Sequence, residues 1–137
     1  MTVSNEATNA ANARVGIALQ GVGFLVVWVV RSRRWVELFD SSARIAVLAL
    51  AVLLAIAALA LVGLSIAYLG RHWSIGARTI QNHTLITNGP YAIVRHPIYL
   101  GMGALLTSVG LAFAPIWALV AALALYALGT QIRTDAE

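Results

Sequence analysis

"IAVLALAVLLAIAALALVGLSIAYLG", residues 45–70, holds neither a charged side chain nor a proline. As an α-helix it would run roughly 39 Å at ~1.5 Å per residue, longer than the ~30 Å hydrocarbon core of a bilayer, so it can cross with some tilt. The rest of the chain agrees with that reading. Of its 137 residues 61% are hydrophobic and only 10% charged, with a mean hydropathy of +0.85. A soluble domain has an apolar share nearer half, so this chain belongs in lipid.

The chain has no Cys, which excludes disulfides, thiolate nucleophiles, iron–sulfur clusters and Cys-based zinc sites. Its basic side chains are all Arg, a group that suits headgroups and anionic ligands through bidentate pairing. The pI near 10.4 suggests nucleic acid, but the Arg residues flank apolar runs rather than forming a stripe. Juxtamembrane anchoring is therefore the better reading.

Residues 1–14 are small and polar up to Arg14 and read as a disordered or fraying N-terminus. Residues 15–30 carry no charge and form a first span, with Arg14 and Arg31 snorkelling at its ends. No small-residue cleavage site follows, only "RSRRW", so the span is read as uncleaved. Residues 31–44 mix Arg with Trp35, Leu38 and Phe39, as an amphipathic piece at the interface would, and Asp40, Ser41 or Ser42 can cap the helix after it.

Beyond residue 97 the uncharged run 98–132 is too long for one crossing and slightly short for two. Pro115 removes a helical hydrogen bond and pushes Ala114 toward extended geometry, so a tight helical hairpin turns there. Ala104, Ser108 and Ala112 share one helical face and are expected to let its two arms approach. The fold class is thus an all-α integral membrane protein of about four transmembrane helices in one domain, the last two forming the hairpin. Arg14, Arg71, Arg78, Arg95 and Arg133 share one side, and Arg31, Arg33, Arg34 and Arg44 the other, so the positive-inside rule hardly decides orientation.

Residues 71–97 are over-long for a helix connector, which typically needs ~2–8 residues, and are expected to build something. Asn88, Gly89 and Pro90 signal a turn, and "HTLI" before them has the composition of a short extended segment. His96 before Pro97 is biased to extended geometry, and Pro97 suits the first turn of the helix that follows. Arg95 and His96 then sit at a helix N-terminus, where free N–H groups favour an anion. His72 with Trp73 reads as an interfacial anchor. The three His lie 11 and 13 residues apart with no nearby carboxylate cluster, which does not suit zinc.

Gly89, Pro90, Tyr91, Arg95, His96, Pro97, Tyr99 and Gly101 together resemble the isoprenylcysteine carboxyl methyltransferase family and related membrane methyltransferases. Their signature is a Gly-Pro-Tyr turn followed by Arg-His-Pro-x-Tyr-x-Gly, and the resemblance covers residues 68–137. It implies a helical enzyme that binds S-adenosyl-L-methionine in a pocket at the cytosolic face, outside any Rossmann fold, and takes a lipid-linked or prenylated substrate from the bilayer. By that resemblance the cofactor is held by His83, Thr84, Leu85 and Ile86, by Tyr91, and by His96, Pro97, Ile98 and Tyr99. Beyond the hairpin Arg133 matches the family's substrate-carboxylate Arg, and Glu137 matches a cofactor-contacting Glu four residues later. The family continues past that Glu, whereas the sequence stops there, so residues 133–137 read as the start of a truncated segment, or of a pocket without its lid.

A carboxylate acceptor is already ionised at neutral pH and needs alignment rather than a general base, a task for Arg133. A phospholipid amine acceptor would need a base, with His96 or Tyr99 as candidates. Two other readings stand beside the methyltransferase: a sterol-type reductase using NADPH, since such reductases look similar in this region, and an inactive membrane fragment. Each of these singled-out residues also has a plain structural role open to it. His83 can be a backbone-bonded turn residue, Tyr91 and Tyr99 interface aromatics, Arg95 a headgroup anchor, and Arg133 with Glu137 a helix-end pair. Because S-adenosylmethionine is made in the cytosol, residues 71–97 are expected to face it.

Overall fold

Apolar runs surrounded by hydrocarbon must satisfy their own backbone groups, and a chain without closed strands does so by winding into helices. The computed structural model describes residues 3–31, 40–70 and 88–136. Among these residues there are four α-helices: α1 (Val3–Val29), α2 (Ser41–Leu69), α3 (Pro97–Phe113) and α4 (Ile116–Ala136), with a 3-10 turn at Gly89–Ala92. The expected all-helical membrane architecture is the one found. By length and apolarity Thr8–Val29, Ser41–Leu69 and Ile116–Ala136 can each cross a bilayer, while α3 is a shorter apolar helix of 17 residues. Large side chains such as Leu25, Leu53, Ile56, Leu59, Trp117 and Val120 stay exposed. Lipid, not protein, is the surrounding those faces fit.

Two boundaries differ from the sequence reading. The polar N-terminal stretch expected to fray is helical from Val3, as an extension of α1. Once a helix is nucleated each further residue adds a bond, and the Ala-rich composition of residues 7–13 carries it outward at little cost. The second helix begins at Ser41 rather than Ile45, so Arg44 lies in its first turn. Asp40 sets that start: its carboxylate accepts from the Ala43 N–H at 2.7 Å and from the Ser42 hydroxyl at 2.9 Å. Those bonds, the Ala43 one foremost, hold the Asp40 carboxyl below its ordinary range. Its stabilisation is therefore present above the usual carboxylate pKa and lost as pH falls through the lowered value. The rest of the expected interfacial piece, residues 32–39, lies outside the described residues.

The hairpin turns where expected. Ala114 is extended (φ −113°, ψ 144°), its N–H still reaches Gly110 O at 2.9 Å, and α4 starts just after Pro115. The closest helix pairs run antiparallel: Gly16 and Gly23 of α1 lie against Gly129 and Ala122 of α4, and Ala58 of α2 against Gly101 of α3. The end of α2, the start of α3 and the end of α4 consequently meet at one end of the bundle. A small core of Val27, Leu106, Ala114, Ala118, Ala122 and Tyr126 fills the interior toward the hairpin turn.

The small residues work differently from the expectation. Ser108 does not face the other hairpin arm; its hydroxyl donates to Ala51 O of α2 at 2.7 Å. Its register follows Gly101, two turns earlier and also against α2. The approach of α3 to α4 is made by Gly103, beside the Tyr126 ring, and by Gly110, beneath Leu119. Gly23 is less forgiving, since a Cβ there would stand 2.8 Å from the Ala122 carbonyl oxygen, a backbone atom that yields only if the helices part. Gly21, on the other face of α1, has nothing within 4 Å. Gly23→Ala is therefore expected to lose about 1–3 kcal/mol of stability, while Gly21→Ala, relieved of glycine's entropy cost in a helix, gains up to about 1 kcal/mol. Thermal melts of both variants in detergent check the pair, and equal shifts would contradict the packing.

Candidate functional site

The Gly-Pro-Tyr corner owes its shape to Gly89. Its φ of +61° lies where side chains are strained, and the Tyr68 ring presses on it so closely that a Cβ would stand 2.6 Å from Tyr68 Cζ. Pro90 then starts a single 3-10 turn, closed by the Ile93 N–H on Pro90 O at 3.2 Å and bearing a half-buried Tyr91. Burial pushes the Tyr91 phenol above its ordinary pKa.

At the second corner the backbone of His96 (φ −127°, ψ 65°) leaves the helical region, and Pro97, buried, opens α3. The first intrahelical bond runs from Leu100 N to His96 O at 3.1 Å. His96 supplies no side-chain cap to this helix start. The first N–H groups of a helix have no acceptor within it, so Ile98 and Tyr99 bring donors, and the positive end of the helix dipole, to this corner.

Three of the singled-out residues come together here. The His96 and Tyr99 rings stack with centroids 5.6 Å apart and planes 14° from parallel. The Arg133 guanidinium, from the last turn of α4, lies 4.7 Å from the Tyr99 ring centroid. A guanidinium over an aromatic face is worth about 0.5–2 kcal/mol depending on desolvation, and the C-terminal turn of α4 favours a cation. Pro97, Ile98 and Tyr99 share the first turn of α3, and Tyr91 sits on the turn just before it. Arg95 is exposed. His83, Thr84, Leu85, Ile86 and Glu137 lie outside the described residues.

The structure adds residues that were not singled out from the sequence. Tyr126 donates its hydroxyl to Tyr99 O at 2.7 Å, tying α4 to the first turn of α3, and Gly103 makes room for its ring. Gln20 of α1, 3% exposed, bonds Thr130 and Arg133 at once. One signal for it was in the sequence, because a lone amide inside an otherwise apolar span is costly unless it has a partner. The apolar groove of Ile45, Leu48, Ala49, Val52 and Leu53 lies at the opposite end of α2 and takes no part in this cluster. Among the described residues no group of three or more His, Cys, Asp or Glu gathers as a metal site would need.

A family model described as isoprenylcysteine carboxyl methyltransferase (ICMT) family matches residues 43–137. The cobalt-zinc-cadmium resistance protein CzcN of Cupriavidus metallidurans is 40% identical over 87 residues, covering 56% of this chain and 37% of that protein. The chain thus spans little more than a third of the length of that relative. No solved structure matches.

The raised Tyr91 pKa gives a signed expectation. A phenol that ionises later in the folded state contributes stability in full below its unfolded pKa of about 10, and that contribution is lost as pH rises through the raised value. Unfolding midpoints measured across the alkaline range should fall more steeply for the parent than for Tyr91→Phe, and should run parallel below about pH 9.

Proposed function

This chain belongs to the isoprenylcysteine carboxyl methyltransferase family, and from that premise we propose that it moves a methyl group from S-adenosyl-L-methionine to a carboxylate on a lipid-linked substrate such as a prenylated cysteine. The observation that carries the reading is the Arg133 guanidinium lying on the Tyr99 ring at the start of α3. That arrangement joins a carboxylate-binding cation to the Arg-His-Pro corner, although the two are far apart in sequence.

The donor set at that corner suits the cofactor. The Tyr91 ring face suits a cation, and the helix start at Pro97, with its N–H donors, suits a carboxylate. His96, Pro97, Ile98, Tyr99 and Tyr91 would hold S-adenosylmethionine there, with His83, Thr84, Leu85, Ile86 and Glu137 assigned to it by the family resemblance alone, and the cofactor would supply an electrophilic methyl on a sulfonium. The protein's own task is then positional. Arg133 binds the acceptor carboxylate with its planar fork and sets one oxygen in line for attack. Arg133 is half-buried at the end of the bundle, and partial removal from water strengthens that pairing. The acceptor's negative charge is lost on esterification, and with it most of the hold of Arg133 on the product, which favours release into the bilayer.

In detergent, titration calorimetry should register binding of S-adenosylmethionine and none of NADPH; heat from NADPH alone would favour a reductase, and heat from neither an inactive fragment. Arg133→Ala should lower kcat/KM for a prenylated cysteine carboxylate by about 100-fold or more, equivalent to about 2.7 kcal/mol. With that acceptor His96→Asn and Tyr99→Phe change kcat less than about tenfold, because no proton has to be removed. A phospholipid amine acceptor would instead lose about 100–10,000-fold when its base is taken away, so the same variants decide between the acceptors.

The cofactor's origin orients the chain with the His96 end in the cytosol and the α2 start outside. The protein has no Cys of its own, so Ser41→Cys supplies a unique thiol. It should react with an impermeant reagent in intact cells; reaction only after the cells are opened would reverse the topology.

A further inference from the structure

Gln20 lies about one turn from Gly16, where α1 and α4 approach closely. A Cβ on Gly16 would stand 2.6 Å from Gly129 O, and one on Gly129 would stand 2.6 Å from Gly16 O. The two glycines let the helices approach until the Gln20 side chain reaches across the interface. Its amide then has no choice of orientation. The Thr130 hydroxyl donates to Tyr126 O at 2.9 Å, which leaves its lone pairs to accept from Gln20 Nε2 at 2.9 Å. Gln20 Oε1 is thereby turned to the guanidinium and accepts from Arg133 Nη1 at 3.0 Å. Arg has no acceptor, so only the oxygen end of the amide can serve it.

We propose that Gln20 is a positioning residue for Arg133: an uncharged acceptor that fixes the guanidinium over Tyr99 while leaving its positive charge for the substrate's carboxylate. The assignment deepens the methyltransferase reading above and rests on it for its kinetic consequence. The neutrality of the group is as important as its reach. A carboxylate at position 20 would pair with Arg133 in a half-dry setting and compete with the acceptor for the same fork. An apolar side chain there would remove the bond from α1 to the guanidinium. Gln20 also precedes residues 43–137, the part of the chain that matches the family. A helix outside the matched region thus sets the geometry of a group inside it.

The test uses the full chain in detergent, with Gln20→Leu and Gln20→Glu made in the parent and in Arg133→Ala, assayed with S-adenosylmethionine and an S-prenylated N-acetylcysteine. Expected are a fall of about tenfold in kcat/KM for Gln20→Leu and a rise of about tenfold in acceptor KM for Gln20→Glu, each a change of about 1.4 kcal/mol. S-adenosylmethionine affinity should stay within about threefold of the parent's in both variants. In the Arg133→Ala background neither substitution should have a further effect. Equal losses with and without Arg133, or unchanged kinetics, overturn the proposal. Melting temperatures of the parent, Gln20→Leu, Arg133→Ala and the double variant read the same link without catalysis. If Gln20 holds Arg133, the single losses sum to more than the double loss, whereas additive losses refute the link. A parent that neither binds the cofactor nor transfers methyl would sink the methyltransferase reading while leaving this thermal cycle to judge the Gln20–Arg133 link.

Discussion

A polar group in hydrocarbon must find its partner inside the protein, and that constraint explains most of what is specific in this bundle. Among the described residues every buried side-chain nitrogen and oxygen has a hydrogen-bond partner. Some are local: Ser65 returns its hydroxyl to Leu61 O at 2.6 Å, and Thr107 to Gly103 O at 2.8 Å, each within its own helix. Others cross between helices and fix which faces meet. Ser108 reaches α2, Tyr126 reaches the first turn of α3, and Gln20 reaches α4. Apolar surface gives little preference for one helix partner over another when lipid is as apolar as Leu. These crossing bonds, together with glycine contacts, therefore supply much of the specificity.

The glycines and the bonds depend on one another. An interhelical bond from a short side chain such as Ser108 requires close backbones, and Gly101 sets that distance by admitting Val62 and Ala58 of α2 where a side chain would stand. Gly103 does the same for Tyr126, whose ring passes beside it before the hydroxyl meets Tyr99 O. Tyr126 is held from its other side by Phe24 of α1, edge to face at 6.2 Å. It is thus a junction between α1, α3 and α4, placed one turn before Thr130 and two before Arg133. Any loosening at the small residues would be felt at the guanidinium.

Much of this was legible in the sequence, for identifiable reasons. Residues 45–70 declare a helix because nothing in them admits another structure in lipid. Pro97 and Pro115 bound α3 because proline acts through its own ring and its immediate neighbour, a local effect. The corner residues His96 and Tyr99 were found from a motif, and the structure stacks their rings. What the sequence hid was pairing across distance. The face of Ser108 was visible as a stripe of small residues, but a stripe does not say which helix it meets. Gln20 and Thr130 are 110 positions apart, and no period or composition links them. The start of α2 was legible as three rival caps, Asp40, Ser41 and Ser42, and only the geometry of the Ala43 N–H chose Asp40 among them.

The choice of arginine at position 133 follows from the same constraint. Lysine carries its charge as a compact, strongly hydrated point, which is costly to draw away from water and has no plane to lay on a ring. The guanidinium spreads its charge over a flat fork with five donors. One edge can be taken by a neutral oxygen from α1 while the face rests on Tyr99, and the group remains a cation suited to a carboxylate's two oxygens. Its position in the last turn of α4 adds the favourable end of the helix dipole, and the start of α3 presents the opposite end a few ångströms away. Two helix ends of opposite sign, joined by a ring and a guanidinium, form a place at the bundle's rim where both an anion and a cation are welcome. The proposed donor, with its sulfonium and carboxylate, and the proposed anionic acceptor would ask for both. The antiparallel hairpin provides that juxtaposition because turning at Pro115 returns α4 to the end where α3 began.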